Sequence, residues 1–125
     1  MIVLDTSVIV DALTGPRRSA GALREAIERG ERLLLPTLVL YEWLRGPRLT
    51  EELAAQEALL PASEALSFGS TEAAAAARLY ASVPRPRGRE LDLAIAAHAV
   101  VRGARLWTLN RADFDDLSEV ELAGA

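Results

Sequence analysis

Cysteine is absent and histidine occurs once, as His98, so the 125-residue chain carries no disulfide framework and no thiolate metal site. Lysine is absent as well. All 14 basic residues are arginine, which removes the lysine that a P-loop needs for its phosphates. Aromatic residues are few, with two each of Trp, Tyr and Phe. No apolar run approaches the roughly 18 to 20 residues that span a bilayer, and the first residues lack a basic segment followed by an apolar one. A soluble cytoplasmic protein without membrane association is therefore expected. What is present is Ala, Leu and Val within a 50% hydrophobic composition, which suits a single helix-rich domain over residues 1–125. The net charge of −4 argues against a general nucleic-acid binder, since such domains are usually basic. Acids converging on a bound cation would reverse that sign locally. Arginine is the better residue for bidentate phosphate recognition, although genome composition alone also produces all-arginine usage.

The apolar run Ile2-Val3-Leu4 reads as a buried strand that ends in Asp5, Thr6 and Ser7. Helices are expected from Ser7 to Leu13, stopped by Gly15-Pro16, and from Ser19 to Arg29, closed by Gly30. Leu33 to Leu35 reads as a second strand. Helices follow from Pro36-Thr37 to Leu44, from Thr50 to Leu60 and from Ser70 to Ser82, with a weak strand over Ala65–Phe68 between the last two. A helix from Glu90 to Arg102 stops at Gly103, and strands are expected over Arg105–Leu109 and at the edge over Val120–Leu122. Strands alternating with helices imply a mostly parallel α/β sheet covered on both faces.

Acids in apolar surroundings recur along this pattern. In open parallel sheets ligands bind beyond the carboxyl ends of the strands, which is where Asp5 lies, although Asp, Thr and Ser there also suit a helix cap. Glu42 sits in Leu38-Val39-Leu40-Tyr41-Glu42-Trp43-Leu44, where burial would be costly unless its charge were neutralised; an exposed place on an amphipathic face is the alternative. Asp92 shares a helical face with the small residues Ala96, Ala99 and Gly103, and as a first-turn acid it also suits the helix dipole. His98, on the Leu91 and Ile95 face, is expected to pack rather than ligate. Thr108, Asn110 and Asp113 cluster beyond the last central strand, where Asn110 can cap a short helix that contains Asp113. Carboxylates gathered at one sheet end repel unless a cation lies between them. The remaining oxygen donors suit Mg²⁺ or Mn²⁺, and metal-assisted phosphodiester hydrolysis is the chemistry they would support.

The succession Ile2-Val3-Leu4-Asp5-Thr6-Ser7, Tyr41-Glu42, Asp92-Leu93-Ala94-Ile95-Ala96-Ala97-His98-Ala99 and Thr108-Leu109-Asn110-Arg111-Ala112-Asp113-Phe114 resembles the PIN-domain family. Within it, the chain is most similar to the VapC-type toxins of toxin–antitoxin pairs. The resemblance covers nearly the whole chain and implies a PIN-like three-layer sandwich with a five-stranded parallel sheet. It further implies an Mg²⁺- or Mn²⁺-dependent ribonuclease acting on RNA, a homodimer, and inhibition by a cognate antitoxin. Carried over residue by residue, Asp5 and Asp92 become the main metal ligands, Glu42 helps hold the ion or its water, and Asp113 is the fourth acid. Thr6 or Ser7 supports the first Asp, while Thr108 and Asn110 line the site. Asn110 stands where many relatives outside this subgroup have Asp, so the C-terminal ligand is either of two groups.

Arg85, Arg87 and Arg89 precede the Asp92 helix, and Arg45 and Arg48 follow Glu42. They are candidates for guiding an RNA backbone, with solvated surface as the alternative. A competing reading of the whole is a catalytically weak module that binds RNA or protein. An aspartyl phosphotransferase is excluded, because Asp5-Thr6-Ser7 lacks the second Asp of the haloacid-dehalogenase-like enzymes.

Overall fold

The computed structural model describes residues 1–124. Strand β1 (Ile2–Leu4) is central in a parallel sheet of order β2-β1-β3, with β2 at Leu33–Leu34 and β3 at Arg105–Trp107. Val3 pairs with Leu34 on one side and Leu106 on the other. Successive side chains of a strand face opposite sides of a sheet, yet Ile2, Val3 and Leu4 are all buried. Both faces are therefore covered, as a parallel sheet requires.

Six helices provide the cover: α1 (Thr6–Leu13), α2 (Ala20–Glu28), α3 (Thr37–Arg45), α4 (Thr50–Leu59), α5 (Ser70–Ser82) and α6 (Glu90–Arg102). Helix α6 packs on β1 and β3 and against α5, while α1 meets α2, α3 and α4. Ala96, Ala97 and Ala99 of α6 are buried, and side chains this small let its backbone lie close to its neighbours. Gly103 ends α6 in the left-handed region at φ 61°, a conformation glycine adopts without the clash a Cβ would cause. At the starts of α4 and α5, Glu52 accepts the Leu49 N–H at 2.8 Å and Glu72 accepts the Gly69 N–H at 2.8 Å.

The expected five-stranded sheet is corrected to three strands. The two outer segments make single parallel bridges, Pro36 with Leu66 and Leu106 with Leu122. Leu66 donates to the Leu35 carbonyl at 2.8 Å and accepts from the Thr37 N–H at 2.9 Å. The chain then turns away, because Gly69 is drawn to Glu72 at the start of α5. Ala65-Leu66-Ser67-Phe68 also lacks the β-branched residues that favour an extended, half-buried surface. On the other edge Ala123 donates to Leu106 at 2.8 Å while its own carbonyl takes an arginine N–H from Arg111, which ends the ladder. Strand β3 likewise stops at Trp107, short of the expected Leu109. The helices lie within one or two residues of their sequence-based bounds.

His98 is fully buried, with its ring edge-on to Phe68 at 5.9 Å between centroids. Burial, and then the nearby Arg102, hold its pKa below the usual imidazole value. It packs, as its helical face predicts.

Candidate active site

The carboxyl end of β1 delivers Asp5 into the start of α1. Asp5 occupies the N-cap position of that helix, yet its side chain makes no capping bond. Its Oδ2 instead accepts the Thr108 hydroxyl at 2.7 Å and the Ser7 hydroxyl at 2.9 Å. Ser7 in turn accepts the Leu109 N–H at 3.0 Å, and Thr108 accepts the Asn110 N–H at 3.0 Å. With Asp5 only 5% exposed and Thr108 2% exposed, this network fixes the carboxylate in one orientation and ties β1 to the segment after β3. Both bonds fall on one oxygen, so Oδ1 keeps its lone pairs free of these partners.

Glu42, from the middle of α3, points its Oε1 at the Thr6 hydroxyl, which donates at 2.6 Å; Oε2 lies 3.5 Å from Arg45. Asp92 enters from the first turn of α6 and Asp113 from a 3₁₀ turn at Arg111–Asp113. Asp5, Glu42, Asp92 and Asp113 all line one open cavity of about 530 Å³, together with Thr6, Ser7 and Asn110. Thr108 lies behind Asp5 rather than on the cavity wall. Partial burial pushes the Asp92 carboxyl up to about 6, and the charges of Asp5, Asp113 and Glu42 push in the same direction. Arg89 opposes them. Four segments far apart in sequence thus present acids to a shared space, where Asp92 feels the other three.

Sequence reasoning missed Asp11 and Arg18, which also line this cavity. Asp11 accepts the Ser19 hydroxyl at 2.6 Å. The available signal was the spacing of Ser7, Val10, Asp11 and Thr14, the i, i+3, i+4, i+7 stripe of one helical face, all of which front the cavity.

The arginines separate into two groups. Arg89 places a two-pronged ion pair on Asp116, both bonds 2.8 Å, and donates to the Asp113 carbonyl at 2.8 Å. It clamps the start of α6 to the turn that carries Asp113, so its fork is already occupied. Arg45 lies over Tyr41 and beside Glu42, and Arg48 lies over Trp43 at 4.2 Å and donates to the Trp43 carbonyl. Arg85 and Arg87 are exposed on the loop before α6.

The sequence model of the PIN domain matches residues 2–120. This chain belongs to the PIN-domain family. The PIN domain is 37% identical over 113 residues to Ribonuclease VapC19 of Mycobacterium tuberculosis, an alignment covering 88% of this chain and 89% of the relative. Among solved structures, the PIN domain is similar in fold to DNA-bound VapBC from Salmonella typhimurium, with TM-score 0.78, 21% identity and coverage of 98% and 96% of the two chains. It is similar also to VapBC2 from Rickettsia felis bound to a promoter DNA fragment, with TM-score 0.76, 21% identity and 98% of each chain covered.

The PIN domain's donors fit a hard divalent cation in chemistry. The cavity acids offer only oxygen, and their mutual repulsion at Asp92 is what an intervening cation would relieve. Among the described residues no three His, Cys, Asp or Glu side chains stand close enough to form a cage.

Proposed function

We propose that this PIN domain is an Mg²⁺- or Mn²⁺-dependent endoribonuclease and the toxin of a toxin–antitoxin pair. The observation that carries the reading is the meeting of Asp5, Glu42, Asp92 and Asp113 around one open cavity. The relative named as a ribonuclease and the fold likeness to VapBC assemblies support the substrate and the antitoxin partner. Homodimerisation follows from the family pattern and is part of the same proposal.

Asp5 and Asp92 are the residues that would hold the cation, with Asp113 or Asn110 completing the set from the 3₁₀ turn. A bound ion supplies acidified water and offsets charge on the phosphoryl oxygens. The chain's own residues arrange the rest. Ser7 and Thr108 hold Asp5 in a fixed orientation, so little reorganisation is needed when substrate arrives. Thr6 fixes the Glu42 carboxylate at the cavity, where it would accept a proton from water, and Arg85 and Arg87 would guide the RNA backbone.

Purified protein should cleave single-stranded RNA in Mn²⁺ and lose that activity in chelator. Asp5→Asn should lower the rate by at least about a hundredfold, in line with loss of a group that organises transition-state charge, while its circular dichroism stays native. RNA retention without cleavage under these conditions would instead identify a binding module.

A further inference from the structure

Beside the acidic cavity lies a second depression of about 440 Å³, formed by α2, β3 and the C-terminal segment. Arg18 and Leu109 line both, so the two adjoin. Their chemistry is opposite. Among the described residues, Arg18, Arg29, Arg105 and Arg111 line the second depression against one acid, Glu25. Arg105 is engaged by Glu31, and Arg111 spends one N–H on the Ala123 carbonyl at 3.0 Å. Arg18 and Arg29 are exposed and make no ion pair among the described residues. They flank α2 at its two ends, on either side of nine helical residues that span about 13 Å at 1.5 Å per residue. The same depression is lined by Trp107, which is partly exposed, and by the small Ala22 and Ala26 of α2.

Cations along a track with an aromatic face between them are the combination that holds single-stranded nucleic acid, the cations taking phosphates and the ring taking a base. We infer that this depression is an RNA subsite, which takes the strand running on from the cleaved bond, with Arg18 and Arg29 on phosphates and a base stacked on Trp107. The inference rests on the ribonuclease reading for what occupies the neighbouring cavity. It also answers how a chain of net charge −4 holds a polyanion: attraction is local, next to the acids rather than spread over the surface.

Binding of a short fluorescein-labelled single-stranded RNA in chelator isolates the subsite from cleavage. The chain's other tryptophan, Trp43, is fully buried, so RNA-induced quenching of tryptophan emission reports Trp107. Quenching is expected in the native protein and is expected to vanish in Trp107→Phe, whose affinity stays close to native because a ring remains. Trp107→Ala should lose roughly tenfold in affinity. Arg18→Ala with Arg29→Ala should flatten the slope of log affinity against log salt by about 1.4, or 0.7 per phosphate contact on a single strand. Native RNA affinity and salt slope in the double arginine variant, together with absent quenching, would overturn the subsite. Quenching by polyglutamate but not by RNA would overturn it too, by identifying an acidic peptide site. Cleavage in Mn²⁺ with native binding in these variants removes the subsite alone. Quenching and arginine-dependent binding without cleavage in Mn²⁺ leave the subsite and remove the ribonuclease reading.

Discussion

Asp92 carries the main electrostatic tension in the molecule. Partial burial and the facing Asp5, Asp113 and Glu42 raise its carboxyl from 3.8 to about 6. A raised carboxyl pKa means that the folded state releases this proton less readily than the unfolded chain. The resulting stability is full below about pH 4 and is lost as pH rises through about 6. Above pH 6 the metal-free fold therefore holds a strained charge. Asp92→Asn should stabilise metal-free protein at pH 7.5 by on the order of 1 kcal/mol, after allowing for water at the cavity mouth, and by almost nothing at pH 4. Urea denaturation at the two pH values measures this. A less stable variant at pH 7.5 would mean that Asp92 makes a contact beyond the acids named. A site residue whose removal stabilises the fold is what a functional arrangement of like charges produces. Asp5, by contrast with Asp92, accepts hydrogen bonds from Ser7 and Thr108.

The helices were legible from the sequence because each carries its own punctuation: Gly15-Pro16, Gly46-Pro47, Pro61 and Gly103 all fall just beyond helix ends. The outer strands were not. How far a short apolar segment pairs, through one residue as Leu66 and Leu122 do or through several, depends on its partner as well as on its own composition. The Arg89 clamp was equally hidden, since Asp116 lies 27 residues away with nothing local to mark the pair. That clamp joins the start of α6 to the turn bearing Asp113. A double-mutant cycle on Arg89→Ala and Asp116→Ala should give a coupling of about 1 kcal/mol, at the upper end for a partly exposed pair because the geometry is bidentate. Arg89→Lys should recover only part of it, because an ammonium cannot match the two-pronged fit. Zero coupling in unfolding experiments would show that Arg89 is free for another partner.

Across the whole molecule, charge is distributed by function rather than evenly: acids meet beyond the ends of β1 and at the start of α6, and arginines line the adjoining depression and the loop before α6. Asp5, Glu42 and Asp92 were legible because each follows or interrupts an apolar run, whereas Asp113 was legible through the Asn110-Arg111-Ala112-Asp113-Phe114 motif. Asp11 and Arg18 were obscured by belonging to α1 and its turn, where a polar stripe is also ordinary helix surface. If Arg85 and Arg87 each meet a phosphate, Arg85→Ala with Arg87→Ala should flatten the salt dependence of RNA affinity by about 1.4, while their removal leaves the fold intact because neither is buried. An unchanged slope would assign that loop to plain surface. The account stands on the acids around the cavity holding a cation, and Mn²⁺ binding followed by the paramagnetic resonance of the free ion tests this directly. Native protein should bind Mn²⁺, and Asp5→Asn and Asp92→Asn should each abolish that binding while remaining folded. Native Mn²⁺ binding in both variants would contradict it.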